Sequence, residues 1–316
     1  MLERPAPEVS ILVVAYNSAP FLAECFSSIA TAAATTPHEI LLIDNGDGSS
    51  EAFARTHFPD VRIVPSEGNI GFGAGNNRLA AQAVAPRLLL LNPDAAPVPG
   101  AVDRLVAFSK QHPQAAAWGG RSYSPEGALD AANFMALPTP TDFLVSVIDS
   151  RSLRRGGLPA GATEPGPVEV LNGGFMMVRA DVWRAIGGFD ESFFLYAEEI
   201  DLFERIRARG DVVLVDPGVG VIHNTGSGQS MSASRLLYLT TGRMHYARKH
   251  FSPLGAWVTG CAMWLTAAKF AWVSPLLARL KPHDAERLRQ LGQGWGAVLR
   301  QRPAWWSGYA GRGARN

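Results

Sequence analysis

Four short stretches of this chain carry side chains able to do chemistry. Leu88-Leu-Leu-Leu-Asn-Pro-Asp94 ends an apolar run in a side-chain amide and a carboxylate two residues apart. Oxygen ligands of this kind suit Mg²⁺ or Mn²⁺, ions that usually share their shell with substrate phosphates and water. An Asx turn closing a strand is the competing reading of the same residues. Tyr196-Ala-Glu198-Glu199-Ile-Asp201 places three carboxylates within four positions, at the start of a helix expected over about 197–209 and stopped at Gly210. Complementation of the helix dipole explains their sign, because Arg205, Arg207 and Arg209 occupy the other end, but not their density. Glu198 and Asp201 are three residues apart and share a face, while Glu199 points about 100° away. At least one acid can therefore face a cleft while Leu202 and Ile206 face the core. His223-Asn-Thr-Gly226 puts an imidazole at a strand end beside a Gly/Ser-rich loop. A lone histidine is more often structural than a ligand, and that loop shifts the balance toward a ligand. Finally, Gly68-Asn-Ile-Gly71-Phe-Gly73-Ala-Gly75-Asn-Asn-Arg78 offers backbone N–H groups to an anion at a helix start. A dinucleotide site is disfavoured there, because Asn76 stands where the third glycine belongs and the loop follows the third strand.

The elements that must position these groups alternate between strand and helix. Val9–Ala15, Glu39–Ile43, Val61–Val64 and Arg87–Leu91 read as buried strands. Residues 18–34, Asn76–Ala85 and Val102–Gln111 read as helices. The pattern predicts an α/β fold, a mostly parallel sheet with helices on both faces. Such sheets bind ligands beyond the carboxyl ends of their strands. Tyr16 and Asn17, Asp44 and Asn45, and Asn92 and Asp94 all lie at those ends. Residues 137–167 read as a long irregular excursion, followed by strand character over Val168–Arg179, Val212–Val215 and Val219–Ile222.

The 316 residues carry a net charge of +1, which argues against a general nucleic-acid binder. The mean hides an asymmetry. Residues 1–234 hold 16 Lys/Arg against 26 Asp/Glu, and residues 235–316 hold 13 against 2. Two distant cysteines, Cys25 and Cys261, exclude a disulfide framework and fit a reducing compartment. The N-terminus lacks a basic stretch followed by a long apolar run, so no signal peptide is expected. Leu254–Ala268 is uncharged, Lys269 interrupts, and Phe270–Ala278 continues apolar, with Trp257, Trp264 and Trp272 at helical spacing. A membrane span is weakened by Lys269, Gly255, Gly260 and Pro275. A helix packed on the catalytic domain is a second reading. The favoured one is a helix lying in a membrane interface, its tryptophans at the boundary and Arg248, Lys249, Arg279 and Lys281 facing anionic headgroups.

Taken in order, Ser10–Ser18, Ile43-Asp44-Asn45, Gly68–Asn77, Asn92–Asp94, Leu171–Phe175, Gly187–Asp190, Tyr196–Leu202 and His223–Ser230 resemble the inverting glycosyltransferase family 2 and its GT-A fold. The rhamnosyltransferase-like branch is the nearest match, and the resemblance covers roughly residues 9–250. It implies a catalytic domain over 1–235 and a basic, Trp-rich helical tail over 236–316. Ala15, Tyr16, Asn17 and Asp44 would hold the base and ribose of a dTDP or UDP sugar. Asn69, Gly71, Asn76 and Arg78 would line the donor near its diphosphate. Asn92 and Asp94 occupy the family's Asp-x-Asp position, with Asp94 and His223 as ligands of Mg²⁺ or Mn²⁺. Gly173 and Gly174 would admit the sugars close to the backbone. The base position is Glu199, a Glu where the family has Asp, and Glu198 and Asp201 stay in contention. The implied reaction transfers a sugar, rhamnose foremost, to a glycan or polyprenyl-linked acceptor at the cytoplasmic face of the cell membrane, by a peripheral protein that could form homo-oligomers. Galactofuranosyl, glucosyl or mannosyl transfer, or nucleotide-sugar binding without turnover, are the alternatives.

Overall fold

A computed structural model describes residues 5–130, 134–149, 152–153, 158–159, 161–224 and 232–311. Most of the loop after His223, from 225 to 231, and parts of the 137–167 excursion lie outside the described residues. The chain forms two compact units. The first comprises residues 1–136, 156–190 and 202–225, and the second 137–155, 191–201 and 226–316.

The first unit is built on β1 (Val9–Ala15), α1 (Ala19–Ala32), β2 (His38–Asp44), α2 (Ser49–His57), β3 (Arg62–Val64), α3 (Phe72–Gln82), β4 (Arg87–Leu91), β5 (Ala95–Pro97), α4 (Ala101–Gln111) and β6 (Ala115–Tyr123). It continues through β7 (Phe134–Met135), and, after the excursion, β8 (Gly166–Pro167), β9 (Val170–Leu171), β10 (Phe175–Arg179), α6 (Ala180–Ile186) and β11 (Val212–His223). The excursion itself contains α5 (Pro140–Ser146), and α7 spans Glu198–Ala208. The main sheet runs β3-β2-β1-β4-β10-β6-β11-β5, with β8 beside β11. β3, β2, β1 and β4 are parallel, as the strand-helix alternation predicts. The far half is mixed: β10 enters antiparallel to both β4 and β6, and β5 antiparallel to β11. Its long approach lets β10 enter from the opposite end, which a single crossover helix would not allow.

Every residue of β1 is buried, which is why it reads as an unbroken apolar run rather than an alternation. α1 covers one face with Leu22, Cys25, Phe26, Ile29 and Ala32, a stripe at helical spacing. α3 starts at Phe72, four residues earlier than the sequence pattern predicts. Its early glycines are weak helix formers, but a Cβ on Gly75 would lie 3.0 Å from Val14 and one on Gly73 3.0 Å from Phe189. Close packing therefore overrides propensity there. β6 has no sequence signature, because its Ala-Ala-Ala-Trp-Gly-Gly run lacks β-branched residues. Small residues are required in it: a Cβ on Gly119 would strike Leu171 and one on Gly120 would strike Val219. The two strands expected over 212–222 form one element, β11, irregular between Val215 and Gly220, where Asp216 takes a bidentate hydrogen bond from Arg104.

The second unit is helical. α8 (Ala233–His250), α9 (Pro253–Leu280), α10 (Ala285–Arg300) and α11 (Arg302–Trp306) pack with α5 around Phe143, Met244, Met263, Val298 and Trp305. α5 replaces part of the expected irregular stretch. A capping box starts it, Thr139 accepting from the Asp142 N–H and Asp142 from the Thr139 N–H. Ser252 caps α9, whose 28 residues span about 42 Å. α9 is the one helix among the described residues long and apolar enough to cross a membrane, with a mean hydropathy of 1.3 over a window that is 33% buried.

Candidate active site

The first unit brings Asn92, Asp94 and His223 together through backbone pairing. Asn92 and Asp94 form the turn from β4 into β5, where the Ala95 N–H reaches the Asn92 carbonyl at 3.1 Å. His223 ends β11 directly opposite Ala95 in the β11–β5 ladder, and the Asn224 N–H donates to the Asp94 carbonyl at 2.9 Å. His223 Nε2 lies 3.2 Å from Asp94 Oδ1 and 3.2 Å from Asn92 Nδ2. Nε2 of His223 therefore faces both an amide nitrogen and a carboxylate oxygen. A divalent cation bound between imidazole and carboxylate would be held by both. Adjacent donors about 2.1 Å from an octahedral ion sit about 3.0 Å apart, so this pair fits a Mg²⁺ or Mn²⁺ ion. Among the described residues no cluster of three or more His, Cys, Asp or Glu could hold a metal unaided. Two protein ligands leave most of the shell to substrate oxygens and water, as Mg²⁺ prefers.

The surroundings fix this turn. Cys25, which spacing alone does not single out, lies beneath it with its thiol 3.7 Å from the Asn92 carbonyl. Burial, and next the Asp94 charge, hold that thiol protonated far above its usual range. The Asn92 N–H donates to the Gly174 carbonyl at 2.9 Å. A Cβ on Gly174 would lie 2.9 Å from the Asn92 amide, so glycine is needed here for the Asn92–Asp94 turn itself. Gly173 is half-buried beside it. A small recess lined by Gly120, Ser122, Asn172, Gly174 and His223 adjoins the pair.

At the ends of β1 and β2, Tyr16 is 58% exposed and Asn17 adopts a left-handed φ of 52°. Ala15 and Asp44 do not face solvent. Ala15 is fully buried with its carbonyl taken by the Asn45 N–H at 2.8 Å. The Asp44 carboxylate accepts the Gly46 N–H at 2.8 Å and the Glu51 N–H at 3.0 Å, closing the turn into α2. Asn76 also departs from its expected place: it is 1% exposed and its amide donates to the Phe72 carbonyl within α3. Asn69 accepts the Gly71 N–H at 3.2 Å, and Arg78 pairs with Glu67 at 3.1 Å. Two neighbours unassigned from the sequence clamp the loop. Asn45 donates to the Gly71 carbonyl at 2.9 Å, and Asn77 makes a reciprocal pair of 2.9 Å bonds with the Phe189 backbone.

The acid cluster belongs to the second unit. Tyr196 and Ala197 both have left-handed backbones, φ 67° and 72°, immediately before Glu198. Such strain in non-glycine residues concentrates at functional sites. α8 holds the pair in place: a Cβ on Gly242 would lie 2.1 Å from the Tyr196 carbonyl. The three carboxylates differ sharply. Asp201 is fully buried, 2.7 Å from both Lys249 Nζ and His250 Nε2. Burial, and next the neighbouring Glu199 charge, push the Glu198 carboxyl well above its usual range, and its Oε2 has no hydrogen-bond partner among the described residues. Glu199 is half-buried. Desolvation raises it too, while Arg243 draws it back. Arg243, Lys249 and His250 lie more than forty residues from the acids they serve, and only the fold reveals them.

Residues 10–182 match the family described as Glycosyl transferase family 2. The chain belongs to this family. The matched span carries Asn92, Asp94, Gly173 and Gly174, while the acid cluster and His223 lie beyond it. Among its relatives is an N-acetylglucosaminyl-diphospho-decaprenol L-rhamnosyltransferase of Mycobacterium tuberculosis, 29% identical over 68% of this chain and 75% of that one. A low-salt glycan biosynthesis hexosyltransferase of Haloferax volcanii is 27% identical over 69% and 67%. The solved mannosyltransferase PcManGT of Pyrobaculum calidifontis, in complex with GDP-Man and Mn²⁺, shares the fold at a TM-score of 0.55, 18% identity and 94% and 87% coverage. The chain is thus a rhamnosyltransferase-like family 2 glycosyltransferase with the GT-A arrangement read from its motifs.

Proposed function

We propose that this glycosyltransferase moves rhamnose from dTDP-rhamnose, with inversion, to a hydroxyl of a lipid-linked glycan at the cytoplasmic face of the cell membrane. The observation that carries a metal-assisted transfer is the 3.2 Å approach of Asp94 Oδ1 to His223 Nε2 at the end of β4. The rhamnosyltransferase relative supports the choice of sugar and acceptor. Asp94 and His223 would hold Mg²⁺ or Mn²⁺, with Asn92 beside them. When bound, the ion neutralises charge growing on the departing diphosphate. Tyr16 offers an exposed ring to the base, with Asn17 at the ribose. Ala15, Asp44 and Asn76 shape the donor side from within the fold, and Asn69, Gly71 and Arg78 line it. Gly173 and Gly174 leave room for the sugars.

Glu199 takes the proton of the attacking hydroxyl. Burial raises its pKa and so makes the ionised form a stronger base, while Arg243 and the helix N-terminus act in the opposite direction and favour that ionised form. Glu198, the more deeply buried acid, has its pKa pushed up by burial and by the Glu199 charge, which favours its neutral form beside Glu199. Asp201 is a positioning residue, locked by Lys249 and His250.

A panel of dTDP-rhamnose, UDP-glucose, UDP-galactofuranose and GDP-mannose, with and without Mn²⁺, tests this reading through donor hydrolysis. Preference for dTDP-rhamnose with metal is expected. Preference for another sugar would move the assignment to the hexosyl or galactofuranosyl alternatives, and hydrolysis indifferent to metal would remove the role of Asp94 and His223.

A further inference from the structure

The second unit contains a cavity of about 320 Å³ lined by Met244, Arg248, Phe251, Ala256, Trp257 and Trp306. Its wall is apolar and aromatic, and its charge is of one sign. Arg248 donates through Nε to the Trp306 carbonyl at 2.9 Å, and the Arg302 guanidinium lies 4.4 Å from the Trp306 ring centroid. Two cations therefore flank one tryptophan. Acids are scarce nearby in sequence: Asp284 and Glu286 are the only two between residues 235 and 316. The cavity volume lies at the small end for ligand sites, enough for a length of one hydrocarbon chain and too little for the paired chains of a diacyl lipid. Trp257, which lines the cavity, also belongs to the exposed apolar stripe Leu254, Trp257, Leu265, Trp272 and Leu276 along α9. Trp257 is thus common to the exposed stripe and the cavity wall.

We infer that this cavity takes the first units of a single polyprenyl chain, with Arg248, which lines it, meeting its diphosphate. The assignment rests on the proposed lipid-linked acceptor and gives that acceptor's carrier a site of its own. It accounts for features that catalysis leaves unused: the cavity, the Arg248 guanidinium on its wall and the exposed Trp257.

Titrating the full-length protein with farnesyl diphosphate by calorimetry tests it, with inorganic pyrophosphate, farnesol and dodecyl phosphate as comparisons. Saturable binding of farnesyl diphosphate at least tenfold tighter than each comparison is expected. Arg248→Gln and Trp257→Ala, both at exposed positions, should each weaken it tenfold or more at unchanged melting temperature. Equal affinity for dodecyl phosphate would overturn the isoprenoid assignment. Unaltered binding by both variants, or none by the parent, would overturn the site. Donor hydrolysis is read on the same parent protein. Hydrolysis without farnesyl diphosphate binding sinks this site alone, and binding without hydrolysis of any donor sinks the proposed reaction instead.

Discussion

The carboxylates at the head of α7 show how three acids within four positions acquire different chemistry from burial and partners. Asp201 has the Lys249 ammonium and the His250 imidazole against it and no exposure, so Asp201→Asn leaves Lys249 without its anion and His250 without its carboxylate partner. A loss of about 3 kcal/mol in stability is expected, measurable by urea unfolding. Glu199→Gln should leave stability nearly unchanged and lower kcat by about 10²–10⁴-fold with nucleotide affinity intact. Turnover equal to the parent's would remove Glu199 as the base. Glu198 is raised well above its ordinary 4.5, so it favours folding below that pH, and the contribution fades as pH rises toward the folded-state value. Glu198→Gln carries no such penalty. Its melting temperature should match the parent's near pH 4 and exceed it at pH 7, and a constant difference across that range would refute the buried, protonated acid. Types and spacing alone showed that one acid could face a cleft. Which acid is buried depends on Lys249 and His250, nearly fifty residues later, and on packing that periodicity does not encode.

At the scale of elements, the place of the turn carrying Asn92 and Asp94 was legible because it follows a strand with a plain signature. Val9–Ala15 and Arg87–Leu91 are apolar runs of strand length, and the polar residues fall where a doubly wound sheet ends them. β6 was not legible, because its Ala and Gly residues answer a demand for space from Leu171 and Val219 rather than any propensity for strand. The same logic hid the start of α3. Asn76, placed along the donor by the family resemblance, is buried because that stretch is already helix. Gly242 in α8 offers a test of how elements hold the acids. Gly242→Ala introduces a Cβ 2.1 Å from the Tyr196 carbonyl and must displace either the helix or the left-handed pair before Glu198. A cost of about 1–3 kcal/mol is expected, with kcat falling and metal affinity unchanged. An equal fall in Mn²⁺ affinity would mean that the disturbance is general.

At the scale of the whole molecule, the basic stretch 235–316 lies within a helical unit with an exposed apolar stripe, a unit that also takes in the acidic residues 191–201. Trp257 and Trp272 are 58% and 65% exposed, while Trp264 packs into the helical core, so two of the three spaced tryptophans face outward. Replacing Leu254, Trp257 and Trp272 together by Ser should reduce partition to anionic vesicles at least tenfold in a sedimentation assay. Raising salt should weaken what remains. Partition unchanged by the triple substitution would exclude the stripe as the contact. The helical unit is assembled from three separated stretches of chain, one of which delivers Glu198, Glu199 and Asp201. A deletion that removed residues 226–316 would therefore take Lys249 and His250 from Asp201 and the helix that props Tyr196 from the acid-bearing segment. Recombination that exchanged such tails between relatives would have to carry residues 191–201 with them, so the acids and the tail are inherited as one structural unit.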